Sequence, residues 1–393
     1  MKYRATTIVL GGCLLAVPAL AADLAKKAPA AANWVRVCDA YGAGYFYIPG
    51  SETCLKIGGF ARAQYTGYST DSSAGGVWGG HRNQHSIGTA AVGDLQIDAR
   101  TQTELGLLRS FVEIEVATGT GASTSTVTLD KAFVQFGGLT AGRATSFFDF
   151  YTGSTLNVFW EGPVSDSNTN LFAYTFSFGN GLSATLSLED SSTNGRRDNT
   201  AGLYGGIHSP DLVANLAVAQ SWGKAQIMGA LHDDYALTSV GPSRLGWAIG
   251  GGVEVNLPAL GAKDVVDLQV AYGRGAIGYV SQSWASAATG TTRDFDVDAA
   301  GVHQASAWGI NGGAKHWWTP KVNTALTAGW AKYAPGLSDA GFRQIDLAAN
   351  VGWIPVTGLT VTAEVEYRNV DFTSPAYKDQ SGLIGALRIE RSF

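Results

Sequence analysis

The chain has 393 residues, with 51 Gly, a formal charge of −5 and only 15% charged residues, where about 25% charged residues and about 7% glycine are usual. Length alone would allow two or three ordinary soluble domains, but so little charge argues against them, and a mean hydropathy of +0.04 excludes a bundle of apolar membrane helices. A hydrophobic content of 45% is enough to build a fold and excludes a disordered chain.

Lys2 and Arg4 precede an apolar run over 8–20, closed by the small residues around Ala19 and Ala21. A charged start, a short apolar middle and a small-residue end form the pattern of an export signal. Residues 1–22 are therefore read as a leader cut after Ala21 or Ala22. The run is short for a membrane anchor, and Leu10-Gly11-Gly12-Cys13 is only a weak lipoprotein look-alike, with almost no apolar segment before it. Without Lys2 and Arg4 the net charge moves from −5 to −7, which excludes a basic nucleic-acid footprint. Two cysteines then remain, Cys38 and Cys54. In an exported chain they are expected to form one disulfide, with a loop-closure gain of roughly 3 kcal/mol; the alternative is two free buried thiols.

Residues 23–54 read as an Ala/Lys/Pro-rich periplasmic lead that ends in this disulfide loop, and 55–393 as one β domain. Beyond the lead, segments of about ten residues alternate apolar and polar, which is strand periodicity. Leu55, Ile57, Ala61, Ala63 and Tyr65 share one face, and Lys56, Arg62, Gln64 and Thr66 the other. Leu95, Ile97 and Ala99 oppose Gln96, Asp98, Arg100 and Gln102. Val112, Ile114 and Val116 oppose Arg109, Glu113 and Glu115, and Phe172, Tyr174, Phe176 and Phe178 oppose Ala173, Thr175 and Ser177. Short connections fall near 105–107, 137–139, 179–181, 222–224, 258–262, 319–320 and 355–358. Long ones fall near 69–89, 118–126, 145–170, 190–210, 232–243, 274–302, 334–341 and 371–380. These connections join sixteen strands and put both termini on the short-turn side. The expected fold class is therefore all-β, a transmembrane antiparallel barrel of about sixteen strands with short periplasmic turns and long external loops.

Periodicity alone does not separate such a barrel from a two-layer sandwich. Three features favour the barrel. The chain ends on Phe393, in phase with Leu387 and Ile389, which looks like the assembly signal of outer-membrane barrels; Arg391 departs from that signal. Aromatics such as Tyr65, Tyr68, Trp222, Trp317, Trp318 and Trp353 cluster near strand ends, as interface girdles do. Charges concentrate on polar faces and loops, as a barrel with an aqueous lumen requires.

The stretch VRVCDAYGAGYFYIPGSETCLKIGG at 35–59 resembles the N-terminal signature of the general porins of alphaproteobacteria, the rhizobial type. KAFVQFGGLTAGRATSFFDF at 131–150, PDLVANLAVAQSWGKAQIMGAL at 210–231 and the closing Phe393 are similar to that family too. The resemblance spans nearly the whole chain after the leader. It implies a homotrimer of sixteen-stranded barrels, passive to small hydrophilic solutes, with a third external loop folded inward. The partners it implies are outer-membrane lipid and lipopolysaccharide, the barrel-assembly machinery and the solutes themselves, with no cofactor and no nucleic acid.

Sixteen strands leave a water-filled lumen, whose selectivity is set by its width and by charges facing the water. The loop over 145–170 is the inward-folding candidate and offers Asp149, Glu161 and Asp166. Arg62, Arg100, Arg109 and Arg143 are the candidate basic wall opposite, with Lys131 a weaker addition because the parity of its strand is ambiguous. Each arginine could instead pair with an acid on a neighbouring strand, as Arg100 beside Glu113. No catalytic or metal site is expected: His81 and His85 are four apart but in a Gly-rich stretch, and HExxH, GxSxG, P-loop and CxxC patterns are absent. The competing readings are a substrate-selective channel for sugars or small anions and a soluble secreted adhesin or lectin.

Overall fold

The computed structural model of the chain describes residues 36–70, 85–150, 154–158, 161–192, 196–198, 202–237, 243–282, 284, 292–337 and 340–393. The leader at 1–22 and His81 lie outside the described residues. In chain order the strands are β1 (Phe46–Tyr47), β2 (Cys54–Thr70), β3 (Ile87–Thr103), β4 (Gly106–Gly119), β5 (Thr126–Phe136), β6 (Leu139–Thr145), β7 (Asn168–Gly179), β8 (Leu182–Glu189), β9 (Asp211–Gln220), β10 (Gly223–Asp234), β11 (Arg244–Asn256), β12 (Val265–Arg274), β13 (Phe295–Asp298), β14 (Gly301–Gln304), β15 (Ser306–Thr319), β16 (Val322–Ala334), β17 (Phe342–Val356), β18 (Leu359–Phe372) and β19 (Gln380–Ser392).

Strands β2 to β12 and β15 to β19 pair antiparallel with their neighbours, and β19 returns to β2 from Gly382↔Thr70 to Ser392↔Phe60. The result is a closed barrel of sixteen strands, and closure leaves no unpaired edge, as hydrocarbon demands. The tight turns lie at one end with the start of β2 and the end of β19, and the long connections at the other, as the spacing of turn residues predicts. β13 and β14 form a hairpin within the connection from β12 to β15. β1 is a short extra strand that pairs with Leu55 and Cys54, beyond the last β19 partner of β2. Phe393 closes the seam, its amide donating to the Gly59 carbonyl at 3.0 Å.

The alternation in sequence becomes two faces. Phe172, Tyr174, Phe176 and Phe178 of β7 point outward, with Phe172 68% exposed, while Leu171 and Ala173 on either side of Phe172 are buried inward. Ile227 of β10 and Leu326 of β16 are each 62% exposed on the same outer surface. Leaving one such side chain in water forfeits about 1.5–3 kcal/mol, so a cylinder covered with them requires lipid around it. Trp222, Trp318 and Trp353 stand exposed at the short-turn rim, where an interface girdle belongs. Tyr68 points the other way: its hydroxyl accepts a hydrogen bond from the inward Thr66 at 3.1 Å.

Cys38 and Cys54 form a disulfide across a separation of 16 residues. They pack with Tyr45 into a small buried cluster at the short-turn end. From there the Tyr45 hydroxyl donates to Asp98 Oδ2 on the inner wall at 2.8 Å. The lead is thus tied to the barrel by a strand, a disulfide and a hydrogen bond.

Candidate functional site

The segment between β6 and β7 does not stay outside. Its outbound leg lies on the inner faces of β9 to β11, where Phe148 and Phe150 pack with Val213, Met228, Ala230, Ala248 and Tyr279. Asn215 Nδ2 holds the Phe147 carbonyl at 2.7 Å, and Glu189 accepts the Phe147 amide at 3.0 Å. The middle reaches the far wall. Thr155 Oγ1 donates to Thr327 Oγ1 at 2.9 Å. The Leu156 amide donates to Glu364 at 2.5 Å, and the Val158 amide to Glu366. On the return, Arg368 Nη2 donates to the Glu161 carbonyl at 2.9 Å, and its Nε pairs with Asp346.

The barrel makes room for this crossing with small inward residues. A Cβ on Gly329 would lie 2.3 Å from Pro163 Cδ, and one on Gly252 would lie 2.2 Å from the Phe150 ring. Only glycine allows the loop to rest directly on the strand backbone there. The anchors Glu364, Glu366 and Arg368 stand two residues apart on one face of β18, a polar row that alternates with Val365 and Tyr367 on the lipid side.

The candidate residues fall in distinct places. Asp149 acts inside the loop: its carboxylate accepts from the Ser165 hydroxyl, from the Ser167 amide at 2.6 Å and from Arg196 at 2.8 Å. Asp166 is exposed in the lumen, and Lys131 is a cation that acts on it. Arg62 pairs with Glu390 at 2.8 Å on the β2–β19 wall, beside Arg388, which donates to Gln64 at 2.6 Å. Arg100 and Arg109 share Asp98 at 2.7 and 2.9 Å, just inside the β3–β4 turn, with Arg100 over the Tyr45 ring. Glu113, the neighbour expected for Arg100, pairs with Lys131 at 2.8 Å instead.

Arg143 stands across from Ala132, on the outward row of Val134 and Phe136, and its Nε donates to the Leu129 and Asp130 carbonyls at 2.9 and 3.1 Å. The cause is local. Leu139, Ala141 and Arg143 alternate regularly along β6 opposite the outward Phe136 and Val134, so the period of its own strand sends Arg143 out; on β5 the register steps from Glu113↔Lys131 to Ile114↔Leu129, and the extra residue Asp130 brings Lys131 to the inner face. Among the described residues, no ion pair joins the loop acids to Arg62, Arg100, Arg109 or Arg143. Arg196 and Arg368 donate to the loop, Lys224 Nζ lies 5.2 Å from the Phe150 ring centroid, and Lys131 acts on Asp166. Arg368 was readable from the alternation of β18, whereas nothing local marks Arg196.

Glu161 and Asp166 hydrogen-bond to one another within the loop. Burial, then the adjacent Asp166 charge, pushes the Glu161 carboxyl up to about 8. An acid with a raised folded-state pKa is protonated in the native loop where the free chain is ionised, so its contribution to stability falls as pH rises toward 8. Deprotonation also adds a negative charge beside the lumen. The expected result is a reversal potential in a salt gradient that moves toward cation preference between about pH 6 and about pH 9. Glu161→Gln should flatten that slope, and an unchanged slope would contradict the assignment.

Comparison with known proteins bears on the barrel and its family. A family model described as a porin subfamily matches residues 23–384. The chain is 30% identical over 409 aligned residues to porin Omp2b of Brucella abortus (strain 2308), covering 98% of this chain and 99% of that protein. Among solved structures it is similar to the outer membrane channel DcaP of Acinetobacter baumannii, with TM-score 0.74 and 15% identity over 88% of this chain and 99% of that one. It is also similar to the trimer form of OmpT, an outer membrane protein of Vibrio cholerae, with TM-score 0.55 and 7% identity over 87% of this chain and 100% of that one.

Proposed function

The chain belongs to the porin family and is a passive channel of the outer membrane, and from that premise we propose that it is a general-diffusion pore with the loop between β6 and β7 as its constriction. The observation that carries this reading is the crossing itself. The described residues of the loop are seated on β9–β12 and β16–β18 at Phe147, Ser154, Thr155, Leu156 and Glu161, so the passage for solutes lies between it and the wall of β2–β5 and β19. That wall is of mixed sign: Arg62, Arg388 and Lys131 alternate with Asp94, Glu113, Asp130 and Glu390. A transverse field of this kind orients dipolar solutes and disfavours apolar ones. Asp166 is proposed as the acid of the loop that faces the passage, Glu161 as its pH-dependent partner, and Arg62 as part of the facing wall. Arg100 and Arg109 are proposed to line the periplasmic mouth.

The proposal includes a homotrimer set in lipid and lipopolysaccharide, Phe393 as the signal read by the barrel-assembly machinery, an export leader at 1–22, and no catalytic role. Two of the described histidines serve structure: His232 is buried between Asp211 at 2.8 Å and Tyr204 at 2.8 Å, and His316 holds Asp264 at 2.5 Å. Reconstitution in a planar bilayer tests the whole reading. Stepwise ion conductance in groups of three is the expected result, and a folded barrel that inserts without conductance would refute it. Block by a sugar or a small anion at micromolar concentration would replace general diffusion by a substrate-selective channel.

A further inference from the structure

The connection between β8 and β9 sends one side chain to the root of the constriction. Arg196 is fully buried. Its Nη2 donates to Asp149 Oδ1 at 2.8 Å, and its Nη1 donates to Ser165 Oγ at 2.5 Å and to the Gly278 carbonyl at 3.1 Å. The guanidinium lies over the Tyr279 ring, 4.1 Å from its centroid. Tyr279 is itself fixed: its hydroxyl donates to Asp211 at 2.6 Å, and its ring meets Phe148 edge-on at 4.9 Å.

Three segments therefore meet on one cation. Asp149 belongs to the outbound leg of the constriction loop and Ser165 to its return leg. Gly278 and Tyr279 belong to the short 3-10 turn Ile277–Tyr279 after β12. A planar fork of donors above an aromatic face is what arginine supplies and lysine does not. Removing a charge from water is costly unless its geometry is maintained, so the site holds the legs in one arrangement rather than a range of them.

We propose that Arg196 is a positioning residue of the pore: a guanidinium supplied by a neighbouring external connection that fastens the two legs of the constriction loop together and so sets the width of the passage. The inference rests on the channel reading above. It adds that a side chain of another external connection, and not only the strand wall, holds the constriction.

The test is single-channel recording of the reconstituted full-length barrel, with the fraction of folded protein measured in parallel by heat-modifiable migration on a gel. Arg196→Met removes the donors while keeping bulk, and should raise conductance about twofold and add open-channel noise in the folded fraction. Arg196→Lys, which keeps the charge, should recover part of the parental width. Asp149→Asn should act in the same direction as Arg196→Met. The double variant should be far from additive, because the two substitutions break one contact. Folded Arg196→Met barrels with parental conductance and noise would overturn the proposal. If Arg196→Met fails to fold, the Lys and Asn variants decide: parental behaviour in both would overturn it equally. A parental barrel that does not conduct at all refutes the channel reading instead, so the two failures are distinguishable.

Discussion

Replacing Gly329 by leucine should widen the channel, with single-channel conductance rising about twofold or more in a barrel that still folds and closes. The added Cβ would lie 2.3 Å from Pro163 Cδ and 3.0 Å from Asn311 Oδ1. Pro163 is a ring on the return leg of the loop and cannot rotate aside. Overpacking of this kind costs about 1–3 kcal/mol. On the nearby strands the loop is held by single hydrogen bonds, Thr155 to Thr327, Leu156 to Glu364 and Arg368 to the Glu161 carbonyl, worth about 0.5–1.5 kcal/mol net for the neutral pair and about 1.5–3 kcal/mol where one partner is charged. The two quantities are comparable, and the strand is locked into ladders with both of its neighbours while the loop is not, so the loop yields. Parental conductance in the folded Gly329→Leu barrel would show that the loop does not bound the passage on that side.

The outer surface gives the second large effect. Phe172→Arg, at the most exposed position of the β7 stripe, should destabilise the folded barrel in vesicles by about 2–4 kcal/mol if it lies near the bilayer midplane. Thr175→Arg, one residue past Tyr174 and on the inner face, where Thr175 bonds Thr185 at 2.9 Å, should cost much less because its charge reaches water. Urea titration of both variants in the same vesicles checks this. Equal costs would mean that the outer face is not lipid-covered there, or that the inner face is not wet.

The faces of the strands were readable because a two-residue period survives any sequence context. Phe172 to Phe178 outward, Arg62 and Gln64 inward, and Glu364, Glu366 and Arg368 on one row follow from counting alone. Counting failed where the backbone departs from the period. The extra residue at Asp130 explains why Lys131, which joins Glu113 and Asp130 in the lumen, had an ambiguous parity, whereas Arg143 lies on a strand that alternates regularly from the outward Leu139. Tyr68 stands near a strand end, as a girdle aromatic would, but its phase with Arg62, Gln64 and Thr66 and its hydrogen bond with Thr66 place it inside.

The amino-acid sequence by itself therefore determined the class of the molecule: sixteen lipid-spanning strands, their alternation of short and long connections, the inward or outward sense of most side chains, and the cysteine pair of the lead. These are local properties, set by period, turn residues and the cost of charge in hydrocarbon. Only the tertiary structure decided the partners. Asp149 meets Arg196 across 47 positions and Leu156 meets Glu364 across 208, and such pairings depend on barrel closure bringing distant strands to one height. A residue's face is written in its immediate neighbours, but its height in the lumen and the side chain opposite it exist only once the sheet has closed.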